Sequence, residues 1–234
     1  MHFKSIDLYL DTFLYKTSID EICHSVKACW ASMFKSHILG YASHSDDYTP
    51  GKINTPSMAV LIMHMVEAKA SGVMFSQNLW GTKNEVMIEA VLGQGEGLVS
   101  GELTPDRYVL DKLSLRLCYK NISSPKYHKF TKAKNVDGVE KLALDPPYEG
   151  AILNQNQLEY LACLARDVED FEDRPQDMEW ALDESGAIYL LQSRPITTVG
   201  SKSLSFLPPG MFDKRDSAIQ CTAFHASPHF SPCH

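Results

Sequence analysis

The sequence predicts an α+β fold in which a mostly antiparallel sheet carries packed helices. Three observations lead to it. Two runs of bulky residues, Met178 to Leu182 and Ala187 to Gln192, are joined by Asp183, Glu184, Ser185 and Gly186, the composition of a tight hairpin turn. Apolar runs at Met58 to Val66, Gly72 to Ser76 and Glu85 to Ala90 read as further strands. Two segments with helical spacing open on start signals, Ser18 with Glu21 and Asn154 with Gln157.

In chain order, Leu8 to Leu14 is a short apolar segment. The helix after Ser18 carries Ile19, Ile22, Cys23, Val26, Cys29, Trp30 and Met33 at helical spacing, a stripe expected in the core. His37, His44 and the polar stretch to Thr55 read as surface connection. Met58 to Val66 and Gly72 to Ser76 are expected to be neighbouring strands, with Glu67 to Ser71 as their turn. Glu85 to Ala90 closes on Gly93-Gln94-Gly95-Glu96-Gly97, which lacks the Lys and Ser or Thr that a phosphate loop of the Walker type requires. Tyr108 to Lys120 suggests short strands at a sheet edge, and Asp106 a turn. Asn121 to Gly150, polar, lysine-rich and broken by prolines, reads as a long loop. The second helix presents Leu158, Leu161, Leu164, Val168 and Phe171. Ser201 to His234, rich in Ser, Pro and His, reads as a disordered or divergent tail, so the division is 1–199 and 200–234. Cys221, His225, His229 and Cys233 recur there at four-residue intervals, too loosely and with too little surrounding core for a zinc module to be preferred.

Composition narrows the function classes. A chain of 234 residues can bury a sizeable core. Its formal charge of −7 argues against nucleic acid as a partner, and no apolar run approaches a membrane span. The start Met1-His2-Phe3-Lys4 lacks the regions of a signal peptide, and six scattered cysteines fit reduced thiols, so a cytoplasmic location is expected.

The hairpin carries the chemistry. Alternation along a strand puts Asp177 and Glu179 on one face, and Gln192 and Arg194 on one face of the return strand. If the faces coincide, two carboxylates, an amide oxygen and a guanidinium converge. Mg²⁺ prefers oxygen donors and takes one or two carboxylates with waters and substrate phosphates, while arginine grips phosphate through its planar fork. A structural arginine–carboxylate pair on a hairpin accounts for the same spacing, and spacing does not separate the two.

The run Pro175-Gln176-Asp177-Met178-Glu179-Trp180, followed by Leu191-Gln192-Ser193-Arg194-Pro195-Ile196-Thr197, closely resembles the end of the ATP-binding domain of the phosphoenolpyruvate synthase, pyruvate phosphate dikinase and rifampicin phosphotransferase family. Ile88-Glu89-Ala90, Gly93 to Glu96, Val99-Ser100-Gly101 and Thr104-Pro105-Asp106-Arg107-Tyr108 follow that family's signature order, so the resemblance covers about Leu8 to Thr197. It implies an ATP-grasp-like fold that binds ATP and Mg²⁺. In it Glu179 and Gln192 would hold metal and the phosphate end of ATP, Arg194 would contact phosphate, and Asp177 would support the metal. Thr12 matches the family's phosphate-side threonine, with Leu8 at the position of its glycine. Met63 stands where the family has a glutamine behind the adenine, and Glu89 and Glu96 are further candidate carboxylates.

The reaction implied is phosphoryl transfer from ATP, by way of a phosphohistidine, to pyruvate or another small acceptor. The lysine and the Val-Arg-Ser-Ser segment of the family's N-terminal lobe have no counterpart here, nor has the phosphohistidine domain. The expectation is therefore a partial domain with an incomplete N-terminal lobe, working with a protein that supplies the rest, or else a non-catalytic nucleotide-binding or regulatory relative.

Overall fold

The computed structural model describes residues 11–34, 58–134 and 138–196. The readings at Leu8, at His37 and His44, and along the 201–234 tail with its Cys and His spacing lie outside the described residues. Among those described, the elements run α1 (Ile19–Ser32), β1 (Ala68–Phe75), β2 (Glu85–Leu92), α2 (Glu96–Val99), β3 (Asp106–Asp111), β4 (Leu117–Asn121), β5 (Lys126–Lys132), β6 (Val139–Tyr148), α3 (Gln155–Glu172), β7 (Gln176–Asp183) and β8 (Ile188–Pro195). Six strands form one sheet in the order β4-β3-β2-β1-β7-β8, every neighbouring pair antiparallel. β5 and β6 form a separate antiparallel ribbon. The fold is α+β, as the sequence predicts.

Both long helices start where the sequence places them. Ser18 Oγ accepts from the Glu21 amide at 3.2 Å while Glu21 Oε2 accepts from the Ser18 amide at 2.8 Å. Asn154 and Gln157 make the same reciprocal pair, both bonds at 3.0 Å. Each box satisfies two amides that a helix start leaves without intrahelical partners. α3 then lays Leu158, Leu161, Ala162 and Ala165 onto one face of the sheet, against Met74, Ile88, Leu110, Met178 and Trp180. Phe171, assigned to this stripe by spacing, is instead 86% exposed, because at about 100° per residue it lies well round the helix from the buried Leu158, Leu161, Ala162 and Ala165. The hairpin turn also holds: Asp183 Oδ1 accepts from the Ala187 amide and Ser185 Oγ, and Gly186 takes a φ of +90°.

Three expectations are corrected. Met58 to Val66 is not a strand, and the supposed turn after it is the first half of β1. An apolar run fixes hydrophobicity but not pairing, and the sheet edges on both sides of β1 are taken by β2 and β7. The supposed long loop from Asn121 to Gly150 is the β5–β6 ribbon. Its prolines misled because Pro146 and Pro147 fall inside a register shift, between the pairs His128↔Ala143 and Lys126↔Tyr148, where a missing amide breaks no ladder bond. The α1 stripe is not core either: only Ser25 and Ser32 of that helix are buried, and Ile19 is 79% exposed.

A buried ion pair joins ribbon to sheet. Lys126 Nζ lies 3.0 Å from Asp106 Oδ1 and donates to the Gly150 carbonyl. The same carboxylate accepts from the amides of Ser123 and Ile152 and from the Tyr108 hydroxyl. Asp106 thus orders turns, as expected, and Lys126 is a structural cation rather than part of a solvated basic loop. The glycine-rich turn has a structural cause as well. Gly93, with a φ of +77°, passes so close to β5 that a Cβ would stand 1.9 Å from the Phe130 carbonyl oxygen.

Candidate functional site

Opposite α3, the sheet presents a second face. Residues paired across antiparallel strands share a face, so register alone defines its rows. One row reads Arg194, Asp177, Phe75, Met87, Val109 from β8 to β3. The next reads Gln192, Glu179, Val73, Glu89, Arg107. Val73, Phe75, Met87 and Val109 form a small apolar cluster against which Leu79, Leu98 and Ile196 pack. The faces predicted for the two hairpin strands do coincide: Asp177 sits opposite Arg194, and Glu179 opposite Gln192.

Asp177, Glu179 and Gln192 are all buried. Arg194 donates from Nε to Asp177 Oδ2 at 2.9 Å, and its Nη2 lies 2.8 Å from the same oxygen. Asp177 Oδ1, by contrast, is buried and accepts no hydrogen bond among the described residues. Burial pushes the Asp177 carboxyl above the usual carboxylate range, and the Arg194 guanidinium draws it back. Two adjacent buried carboxylates, an amide and an oxygen without a donor suit a hard cation that completes its shell with water or phosphate oxygens. No cluster of three His, Cys, Asp or Glu able to hold a metal occurs among the described residues.

The other candidates lie elsewhere. Thr12 is exposed in the irregular stretch before α1, and Met63 is half-buried in the irregular segment before β1. Gln94 links these two stretches, donating from Nε2 to the Tyr15 hydroxyl at 2.6 Å and to the Val66 carbonyl at 2.9 Å. Burial raises the Tyr15 phenol to about 12, with Glu67 adding to the rise and Gln94 opposing it. Glu89 is on the second face, while Glu96 is exposed at the start of α2. Sequence reasoning passed over Arg107 and Trp80. Both Nε and Nη2 of Arg107 donate to Glu89 Oε1, and its guanidinium lies 5.6 Å from the centre of the Trp80 ring. The signal for Arg107 was its alternation with Tyr108 in β3; Trp80 carried none, since a loop residue has no periodicity.

A shallow cavity of about 170 Å³, lined by Leu92, Thr104, Ser123, Lys126, His128 and Ile152, opens near the start of the ribbon and away from these carboxylates. Its lysine is already committed to Asp106 and Gly150, so the hairpin face remains the stronger candidate. No helix among the described residues is long and apolar enough to cross a membrane.

Residues 9–205 match the family model described as pyruvate phosphate dikinase, AMP/ATP-binding domain. The chain is 36% identical over 81% of its length to a probable phosphoenolpyruvate synthase of Archaeoglobus fulgidus, covering 24% of that protein. It is 34% identical over 80% of its length to the prodigiosin synthesizing transferase PigC of Serratia marcescens, covering 20% of it. It is 30% identical over 81% of its length to the uncharacterized phosphotransferase YvkC of Bacillus subtilis, covering 22% of it. The chain thus spans between a fifth and a quarter of the length of these curated relatives. It belongs to the pyruvate phosphate dikinase AMP/ATP-binding domain family, homologous to the phosphoenolpyruvate synthases.

Proposed function

We propose that this family member is an ATP-grasp-like Mg-ATP-binding portion of a phosphotransferase, with the β7–β8 hairpin as its metal and phosphate subsite. The observation that carries the reading is the register of the hairpin, which sets Asp177, Glu179, Gln192 and Arg194 on one buried patch. Glu179 and Gln192 hold the metal and the phosphate end of ATP, and Asp177 supports the metal through the oxygen that Arg194 leaves unused. Arg194, oriented by Asp177, presents its remaining N–H groups to phosphate. Thr12 approaches the phosphates and Met63 the adenine side. Bound Mg²⁺ neutralises phosphate charge, the main requirement of phosphoryl transfer. Transfer proceeds by way of a phosphohistidine carried on another domain or protein to pyruvate or another small acceptor. A non-catalytic nucleotide-binding module is the second reading, favoured by Met63 where the resemblance calls for a glutamine.

Titration calorimetry of the purified chain with ATP and Mg²⁺ tests the site. Binding should require Mg²⁺ and weaken about tenfold or more in both Glu179→Ala and Arg194→Ala, the loss of one charge-assisted contact each. Unchanged affinity in both variants, each shown to be folded, would leave the Arg194–Asp177 pair with a structural role only.

A further inference from the structure

The second face carries a polar row that the hairpin alone does not explain. Gln192, Glu179, Val73, Glu89 and Arg107 are consecutive cross-strand partners over five strands, whereas the neighbouring row is apolar at Phe75, Met87 and Val109. At the usual strand spacing, Glu179 and Arg107 stand roughly 14 Å apart along it. One end offers a carboxylate and the other a guanidinium, so the row complements a ligand bearing a cation at one end and an oxyanion at the other.

Arg107 is built to hold a fixed direction. Glu89 Oε1 takes both its Nε and its Nη2, and among the described residues no hydrogen bond engages Nη1. Its side chain is 35% exposed while that of Glu89 is 13% exposed, so the tether is shielded and the cation reaches solvent. Trp80, beside the guanidinium, sits in a loop held by hydrogen bonds of its own. Its amide donates to Asn78 Oδ1, and Glu85 Oε2 accepts from Asn78 Nδ2 and the Thr82 amide. Leu79 of the same loop packs on the apolar cluster. An arginine paired on one edge and stacked against an indole retains its charge and loses little freedom when it meets an anion.

We infer that Arg107 is a second anion-binding arginine of this face and grips the terminal phosphate of a nucleoside triphosphate whose metal end sits at Glu179 and Gln192. The inference rests on the reading of the hairpin as a Mg-nucleotide site. Its chemical consequence is discrimination by phosphate number: the contact exists for a triphosphate and is lost for a monophosphate.

The test titrates the full chain, in a Trp30→Phe background with Trp30→Phe/Trp80→Phe as the control that separates Trp80 emission from that of Trp180, with Mg²⁺ plus ATP, AMP or inorganic tripolyphosphate. Arg107→Ala should weaken ATP and tripolyphosphate about tenfold or more and AMP by less than about twofold. It should also abolish the Trp80 emission change. Glu89→Gln, which removes the competing negative charge, should bind tripolyphosphate at least as tightly as the parent. Arg107→Lys, which keeps the charge but not the fork, should fall between parent and Arg107→Ala and replaces the latter if that variant does not fold. Equal losses for ATP and AMP, or none, would overturn the inference. If Glu179→Ala and Arg194→Ala weaken ATP while Arg107→Ala does not, only this inference falls. Should tripolyphosphate bind through Arg107 with no effect of Glu179→Ala, the hairpin reading falls and Arg107 stands as an anion site. Absence of binding to the folded parent removes both.

Discussion

The two faces of the six-stranded sheet come from the same strands and differ in what they bury. Toward α3 the strands turn Met74, Ile88, Leu110, Met178 and Trp180, all fully buried, and the helix covers them with leucine and alanine. On the other side the same strands turn Asp177, Glu179, Glu89 and Arg107 around a four-residue apolar cluster. Adjacent residues of β7 show the contrast most sharply: Met178 and Trp180 stabilise the core, while Asp177 and Glu179 put carboxylates at nearly the same depth. Burying charge costs free energy even when it is paired, and the second face, unlike the fully bonded Asp106–Lys126 pair, leaves Asp177 Oδ1 without a donor among the described residues, so stability alone does not explain its composition. A period of two residues lets one strand serve both purposes without compromise.

The largest effect expected from breaking this contrast lies at the edge of the α3 face. Asp106→Ala would leave Lys126 buried without its counter-ion and should lower unfolding free energy by about 3–5 kcal/mol in a denaturant titration. Replacing Asp106 and Lys126 together by apolar residues should recover much of that loss, since the penalty belongs to the unpaired charge. A smaller effect is expected at the helix that covers the face. Asn154→Ala removes the cap of α3 and should cost about 1 kcal/mol in the same titration, with nucleotide affinity unaltered. Loss of affinity without loss of stability would mean that α3 shapes the site rather than the core.

The smallest effect belongs to α1, which buries only Ser25 and Ser32 among its residues. Backbone amides of Ser18 and Thr17 hold the Glu21 carboxyl down at about 2. A folded-state value below the unfolded one, about 4.3, means stability that is present above that range and lost as pH falls toward the folded value. The Cα chemical shifts of α1 should therefore lose helical character between those limits while those of α3 keep theirs, and Glu21→Gln should remove the transition. Simultaneous loss in both helices would show that α1 is coupled to the core more tightly than its burial indicates.

Much of this was legible in the sequence. The capping pairs Ser18–Glu21 and Asn154–Gln157, the turn at Asp183 to Gly186, and the alternation of Asp177 with Met178 and Glu179 with Trp180 are local. They depend on residues within a few positions of one another, where backbone chemistry and side-chain period leave few alternatives. The hairpin was found for that reason, since the turn sets Leu182, Ala181 and Trp180 opposite Ile188, Tyr189 and Leu190, but a register shift after Trp180 and Leu190 is what brings Gln192 and Arg194 opposite Glu179 and Asp177, and strand alternation alone does not reveal it. What only the tertiary structure decided was non-local. Met58 to Val66 has strand composition and no partner strand among the described residues, whereas the proline-broken ribbon has a partner and forms. The stripe of α1 has helical spacing but packs on no strand of the described sheet closely enough to be buried, and Arg107 joins the face of Glu179 only through β2 and β1, which are remote in the chain. Hydrophobicity and period specify what a segment can pair with, but a strand exists only where another backbone offers its hydrogen bonds, and that is settled by the fold as a whole.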